Sequence, residues 1–411
     1  MGWEPVVYVP ENPEYPAVDP TLAAEVPPGV EIIRRPILEP YGIYRKLMGK
    51  GASTDMKTLT ADKGPVTEIS SGQKTWKQRL SLWIRGNLFV PDPRVGWVRP
   101  SVRYLKEYLK EHPVDVLVTT GPPQSMHLIG QRLHKATGIP WIPDFRDPWT
   151  EMYYLKHLPL TRATWKKLRR QEQSVLDQCS TVLAVTPLVQ EAFQARTATP
   201  VACITNGFDQ EDFADRLLSR RDPHFNLTHT GLFAADGNPL TLWKVLGQMA
   251  AEDPALRSAL CLRLAGRTDK EVLDAIAAAG LGANVVDLGY CDHATAVREQ
   301  RAATVLLLPL RNDPQYRPIL PGKLFEYLAA RRPVLGIGQT DGAMARVLAA
   351  TEAGITADWD DEAAMRTFLL SAWKAFQAGD VPATKGDISP YTRKNLTRAL
   401  AGLLDQVSKH E

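Results

Sequence analysis

The sequence predicts an α/β protein of two domains, each built on a mostly parallel sheet. Strand and helix patterns alternate in both halves of the chain, the signature of βαβ units. The strand candidates are short, continuous apolar runs, as expected where both faces of a sheet are covered. At 411 residues the chain exceeds one typical core and suits two.

In the first half, Val114-Asp115-Val116-Leu117-Val118-Thr119 is a strand of this kind. Thr120-Gly121-Pro122-Pro123 ends it and opens a helix to about Thr137. Ile139-Pro140-Trp141-Ile142-Pro143-Asp144 is a second strand and Thr181-Val182-Leu183-Ala184-Val185 a third. Between them Arg162 to Gln178 is polar with apolar stripes and predicts a long helix. Asn206-Gly207-Phe208-Asp209 leads into a charged, strand-poor connection, Gln210 to Asp222. The alternation then restarts, with strands at Asn226–Thr230, Cys261–Ala265, Val285–Leu288, Val305–Pro309 and Pro333–Ile337. Helices are expected near Pro239, Asp269, His293 and Pro321. Ligands of such sheets bind beyond the carboxyl ends of the strands.

Composition narrows the function classes. Hydrophobic residues make up 44% and charged residues 23%, ordinary for a soluble globular protein. A formal net charge of +3 is too weak to argue by itself for nucleic acid, and no such partner is expected. No apolar run approaches the ~20 residues of a membrane-spanning helix. Met1-Gly2-Trp3-Glu4-Pro5 has no basic segment leading into an apolar one, so no secretory leader is expected. Cys179, Cys203, Cys261 and Cys291 are scattered, which predicts a reducing cytoplasm and small buried thiols, not disulfides. The eight histidines show no ligand spacing, and no metal is expected. From Lys46 to Arg94 the chain mixes Gly, Ser, Thr and Lys, then places Trp76, Leu80, Trp83 and Ile84 at helical spacing among Lys74, Lys77, Arg79 and Arg85. Two readings fit: a helix lying on an anionic membrane surface, or a core-packing helix with solvated basic residues.

The most informative run is Pro321-Gly322-Lys323-Leu324-Phe325-Glu326-Tyr327-Leu328-Ala329. The Pro-Gly pair opens a helix whose first amides are unpaired and suit an anion. Lys323 adds a full positive charge there, and Glu326 can accept hydrogen bonds from two sugar hydroxyls. Phosphate at the helix tip with ribose on the carboxylate describes a nucleotide-sugar site. The competing reading makes Leu324, Phe325 and Leu328 core residues and Glu326 a favourably placed acid in the first turns.

This run, with Arg332-Pro333-Val334-Leu335 after it, resembles the donor-site segment of family-4 glycosyltransferases of the GT-B fold. So do Ile204-Thr205-Asn206-Gly207-Phe208-Asp209 and Asp144-Phe145-Arg146-Asp147-Pro148-Trp149. Gly121-Pro122-Pro123-Gln124-Ser125-Met126-His127 looks like the matching loop of bacterial members that build surface polysaccharide. The resemblance implies two facing, doubly wound Rossmann-like domains. Its boundaries here would be residues 1–208 for the acceptor side, 209–224 for the linker, 225–385 for the donor side, and 386–411 for a helix crossing back. It implies a nucleoside-diphosphate sugar as co-substrate, no cofactor, no metal, and hexosyl transfer to a glycan or lipid-linked acceptor. The protein would work in the cytoplasm or at the inner membrane face. Donor-binding residues on this pattern are Gly231, Arg267, Pro321, Gly322, Lys323, Leu324 and Glu326. Acceptor-side residues are Gly121, Pro122, His127 and Arg146, and the candidate catalytic base is Asp147.

The chain also departs from the pattern. A further glutamate is expected eight positions before Glu326, where Pro318 stands. Basic residues are expected after Gly231, yet Leu232-Phe233-Ala234-Ala235-Asp236-Gly237-Asn238-Pro239 has none. Arg267, Arg311 or Arg317 could supply the charge instead. Related chains begin with a strand, a glycine-rich loop and a helix, and nothing before Val6-Val7-Tyr8-Val9 corresponds. The first domain is therefore expected to be incomplete, from truncation or a start assigned too late. Two other accounts stand beside transfer: a nucleotide-sugar epimerase, and a relative that binds nucleotide sugar or glycan without turnover.

Overall fold

The computed structural model describes residues 1–13, 26–37, 76–152, 155–156, 158–214, 222–380 and 383–409. Lys74, the earlier part of its stretch, and residues 215–221 of the charged connection lie outside them. The chain divides into two compact units, Met1–Val185 with Val189–Ile204 and Leu400–Glu411, and Thr186–Leu188 with Thr205–Ala399.

In the first unit β1 (Val6–Pro10) pairs in parallel with β2 (Glu31–Arg35). A separate four-stranded parallel sheet has the order β3 (Leu117–Gly121), β4 (Trp141–Phe145), β5 (Val182–Ala184), β6 (Val201–Cys203). Its helices are α1 (Trp76–Leu88), α2 (Val98–Glu111), α3 (Ser125–Thr137), α4 (Arg162–Asp177) and most of α5 (Pro187–Gln194). The β3 ladder starts at Leu117, later than the apolar run, because β4 begins only after the left-handed Gly138 cap and Pro140. β1 rests on α2, where Tyr8 stacks on Trp97 at 4.8 Å and donates to Ser101 Oγ at 3.0 Å.

One buried carboxylate ties the loop after β4 to α4. Glu172 is fully buried and accepts from Thr150 N at 3.0 Å, Thr150 Oγ1 at 2.7 Å and Arg196 at 2.6 Å. Those bonds hold the stretch that carries Arg146 and Asp147.

The second unit has one six-stranded sheet, parallel throughout, with the order β12 (Gly354–Ala357), β11 (Val334–Ile337), β10 (Val305–Pro309), β7 (Phe225–Thr230), β8 (Leu260–Ala265), β9 (Val285–Gly289). The chain winds outward from β7 to β9, then returns to β10 on the other side. The winding therefore reverses between β7 and β10, where such sheets leave a crevice at the carboxyl ends. The connecting helices are α6 (Leu240–Glu252), α7 (Pro254–Ala259), α8 (Lys270–Ala278), α9 (His293–Ala302), α10 (Gly322–Ala330), α11 (Ala343–Ala350) and α12 (Glu362–Gln377). The continuous apolar run of β10 is explained by its two faces. Val305 and Leu307 enter one core with Leu246, Met249 and Trp373, while Leu306 and Leu308 enter another with Leu324, Phe325 and Leu328.

The last helix, α13 (Arg393–Ser408), follows a bridge between Thr392 and Phe208 in the second unit. Its final turns belong to the first unit, where Leu403, Leu404 and Val407 pack with Ile142 and Leu183.

Replacing Glu172 by Ala leaves two donors of Thr150 unpaired and removes the nearer carboxylate of Arg196, which keeps Glu151 at 4.0 Å. Chemical denaturation is expected to show a loss of about 3 kcal/mol in the first unit; a loss below about 1 kcal/mol would mean that the loop is held by other contacts.

Candidate functional site

The start of α10 lies at the switch point of the second unit's sheet. Pro321 is its N-cap in extended backbone, and no side chain caps the helix. Leu324 N donates to Pro321 O at 2.9 Å, and its side chain is wholly buried in the core. Pro321 therefore shapes the turn, while the amides of Gly322 and Lys323 are the ones placed to meet an anion.

Lys323 folds back over the end of β7. Its Nζ lies 3.2 Å from His229 Nε2 and 3.5 Å from Leu232 O. Beneath it is Gly231, with φ +85°, and a Cβ there would sit 3.3 Å from the ammonium. Gly266, at the end of β8 with φ +143°, packs so close that its Cβ would fall 2.3 Å from Gly231 O. Two glycine turns thus let two strand ends meet under one cation, with no side chain between.

Neutral groups hold that cation. His229 is buried, and its Nδ1 lies 3.0 Å from Leu307 O, which can only accept. Nε2 also lies 3.3 Å from a carbonyl, Leu232 O, but the Lys323 ammonium 3.2 Å away can only donate, so Nε2 accepts from it and Nδ1 carries the proton. Burial, and then the neighbouring ammonium, push the His229 pKa down to about 3. Burial also lowers Lys323 to about 8, against the pull of Glu326.

Glu326 lies one turn along α10. Its Oε2 accepts from Gln300 Nε2 at 2.6 Å, and the same amide donates to Thr230 Oγ1 at 3.1 Å. Thr230 N donates to Tyr327 OH at 3.0 Å, and the Tyr327 hydroxyl is 3.5 Å from Leu307 O. The other oxygen of Glu326 has no hydrogen-bond partner among the described residues.

The arginines of this region have carboxylate partners. Arg267 is 3.7 Å from Asp269, Arg311 is 2.9 Å from Asp236, and Arg317 is 2.8 Å from Asp341. Gly231, Lys323 and His229 are thus brought together, with Glu326 a turn away, and Arg267 is turned toward an acid of its own loop.

In the first unit, Gly121 ends β3, and a Cβ there would lie 2.6 Å from His127 Nε2. His127 is wholly buried, with Nδ1 at 2.9 Å from Thr119 Oγ1 and its ring against Phe145 at 4.5 Å. Burial lowers its pKa to about 3, so it is a neutral core side chain. Pro122 is exposed. Arg146 N donates to Gly121 O at 2.9 Å, and its guanidinium is 3.6 Å from Asp144. Burial raises Asp147 to about 6 against the pull of Arg146. The start of α3 is already occupied, since Asp92 Oδ2 accepts from Ser125 N at 2.7 Å.

Sequence reasoning passed over His229, Thr230, Gln300 and Tyr327. His229 and Thr230 stand directly before the strand-end glycine, and Tyr327 directly follows Glu326. Gln300 carries no comparable signal, because only the packing of α9 brings it to Glu326. Among the described residues no group of three or more His, Cys, Asp or Glu is placed to hold a metal.

Residues 65–212 match the family described as Glycosyltransferase Family 4. No curated protein matches the chain. Among solved structures, sucrose-phosphate synthase from Thermosynechococcus elongatus superposes with a TM-score of 0.54 at 16% identity, covering 75% of this chain and 78% of that one. An α,α-trehalose-phosphate synthase (UDP-forming) from Burkholderia vietnamiensis gives 0.55 at 12% identity, covering 79% and 78%. Its counterpart from Burkholderia xenovorans, in complex with glucose-6-phosphate, gives 0.51 at 12%, covering 76% and 77%. The chain has the GT-B fold of two Rossmann-like α/β units.

Proposed function

We propose that the protein is a glycosyltransferase that moves a hexosyl-type sugar from a nucleoside-diphosphate sugar to a glycan or lipid-linked acceptor in cell-surface polysaccharide synthesis. One observation carries the donor half of this reading. Lys323 presents an ammonium bonded only to neutral groups above the Gly231 turn, one helical turn from a carboxylate with an oxygen to spare. The diphosphate would take the ammonium and the open amides of α10, and the ribose hydroxyls would donate to Glu326. As the glycosidic bond breaks, charge builds on the leaving diphosphate, where these donors already stand. The Glycosyltransferase Family 4 match supports glycosyl transfer. The UDP-forming enzyme among the structural neighbours supports testing UDP-type donors first.

Asp147 is the proposed base. With its pKa held near 6 it is mostly ionised at neutral pH and can accept a proton from an acceptor hydroxyl. Gly121, Pro122 and Arg146 stand with it on the acceptor side, and His127 supports the Gly121 turn from below. The ion pairs of Arg267, Arg311 and Arg317 favour a second reading, nucleotide-sugar binding without transfer. Donor turnover separates the two, and release of an isomerised nucleotide sugar would select an epimerase instead.

We place the reaction at the inner face of a membrane. Among the described residues no helix is long and apolar enough to cross one. On α1, Trp76, Leu80, Trp83 and Leu88 are exposed beside Arg79 and Arg85, a surface suited to anionic lipid.

In a thermal-shift screen with UDP and GDP at one hundred times the dissociation constant, stability should rise by about 2.7 kcal/mol. Glu326→Ala is expected to cut that shift to about 1.4 kcal/mol, as for a tenfold weaker ligand, and an unchanged shift would remove Glu326 from the site. Asp147→Asn should keep the shift and lower turnover by about a hundredfold.

The Lys323 pKa sets a pH dependence of two opposite signs. Below about 8 the ammonium is present and anion affinity is full. Above it affinity is lost, by roughly tenfold for one charge-assisted contact. The unfolded chain binds this proton up to about 10.4, so the ligand-free protein gains stability from this group as pH rises through the same window. Nucleotide titrations between pH 7 and 9.5 check the first trend; Lys323→Arg should flatten it, and a flat wild-type profile would count against the assignment.

Sedimentation with phosphatidylserine vesicles is expected to retain the protein, and to lose it on Trp76→Ala with Trp83→Ala. Equal binding to neutral vesicles would contradict the charge component.

A further inference from the structure

We infer that Gln300 is a positioning residue that fixes the Glu326 carboxylate for ribose recognition. The inference rests on the reading of Glu326 as the ribose ligand and goes beyond it by naming what makes that ligand specific. Gln300 lies wholly buried on α9, a helix that contributes no residue to the proposed nucleotide contacts. Both hydrogens of its amide are committed, one to Glu326 Oε2 at 2.6 Å and one to Thr230 Oγ1 at 3.1 Å. The Thr230 hydroxyl can then donate onward to Tyr327 OH at 3.4 Å, and the Tyr327 hydroxyl to Leu307 O at 3.5 Å. Every donor in this chain has one direction to point, so the amide cannot turn without breaking several bonds at once.

The consequence falls on Glu326. A glutamate near a helix start has several rotamers, and a carboxylate free to rotate would lose entropy on binding two hydroxyls. Gln300 removes that freedom by committing one oxygen to the protein and leaving the other for the ribose. A neutral amide does this without cancelling the charge, so the carboxylate stays a strong acceptor. A lysine or arginine at this place would orient Glu326 but neutralise it. The chain ends on β7 and β10, whose residues His229 and Leu307 also hold Lys323 in place. Phosphate and ribose ligands are thereby referenced to the same two strands.

The test is calorimetric titration of UDP and GDP, each against its 2′,3′-dideoxy counterpart. Wild type should prefer the ribose form by about tenfold or more, as for hydrogen bonds to a charged group. Gln300→Leu should cut that preference below about threefold while leaving dideoxy affinity within about twofold. Loss of a merely structural residue would weaken both forms alike. Gln300→Glu should lack the preference at pH 8 and regain it toward pH 6, as the introduced carboxyl takes up a proton and can donate again. This variant carries the test if Gln300→Leu does not fold. A wild-type preference that persists in folded Gln300→Leu, or in folded Gln300→Glu at pH 8, overturns the inference, as does equal weakening of both forms or failure of both variants to fold. Absence of any preference in the wild type sinks the ribose reading of Glu326 itself, and this inference with it.

Discussion

Holding a partly buried ammonium with no carboxylate in contact with it is costly, and the second unit is organised around that cost. Lys323 meets an imidazole nitrogen and a peptide carbonyl, which lend it dipoles but no charge. His229 can play this part only while neutral, and its burial, with the ammonium beside it, keeps it so against the opposite pull of the Leu307 carbonyl. Gly231 leaves the space that a side chain would fill. Burial holds the Lys323 pKa below the usual lysine range, and an arriving anion supplies the charge that its neutral partners lack.

The two units use the same local plan with opposite electrostatic outcomes. In each, a parallel strand ends in a glycine and a histidine lies beneath the turn. In the first unit the following helix, α3, has its start filled by Asp92, a carboxylate whose pKa burial raises. His127 there is packed against Phe145 with no cation nearby. In the second unit the helix beside the glycine turn is α10, which follows β10 and not β7; it is uncapped, and a lysine rises from its first turn. An external anion therefore has a seat in the second unit and finds the start of α3 already taken by the Asp92 side chain in the first. Fold alone would not distinguish these ends; the residues at the two helix starts do.

Much of this was legible in the chain, and the limits follow from physics. β10 reads as a strand because both of its faces are buried, and α10 reads as a helix with an open start because Pro-Gly precedes it. β6 and β12 are the outermost strands of their sheets and only partly buried, unlike the equally short β5 and β11, whose wholly buried apolar runs are legible; β12 also opens on Gly354 at φ +158°. Arg267 looked suited to phosphate because it follows a strand-end glycine, yet Asp269, two residues on, is near its guanidinium. His127 looked available because it lies in the first turn of a helix, and the tertiary packing of Phe145 and Trp149 enclosed it. Gln300 was invisible because a buried glutamine on one helix has meaning only through the carboxylate that another helix brings to it. Local rules recover what is local, and the polar chain from Leu307 to Glu326 is held by residues far apart in sequence.

On the proposed reading, the same ammonium that favours the leaving diphosphate also favours keeping it. A nucleoside diphosphate carries more negative charge after losing its sugar, so a fixed cation binds product more tightly than donor. An arginine in this position would hold its charge at any working pH and make release slow. A lysine with a pKa near 8 is different. It is charged enough at pH 7 to stabilise the transition state, and a diphosphate held there pulls its pKa back up, by about one unit for a tenfold stronger grip, so the proton becomes easy to lose only as product leaves. The neutral cradle of His229 and Leu232 O serves both ends of the cycle, because it lets the amine lose its charge without leaving an anion unpaired beneath it. A carboxylate in that cradle would have raised the Lys323 pKa, filled the phosphate's place, and made the site a salt bridge.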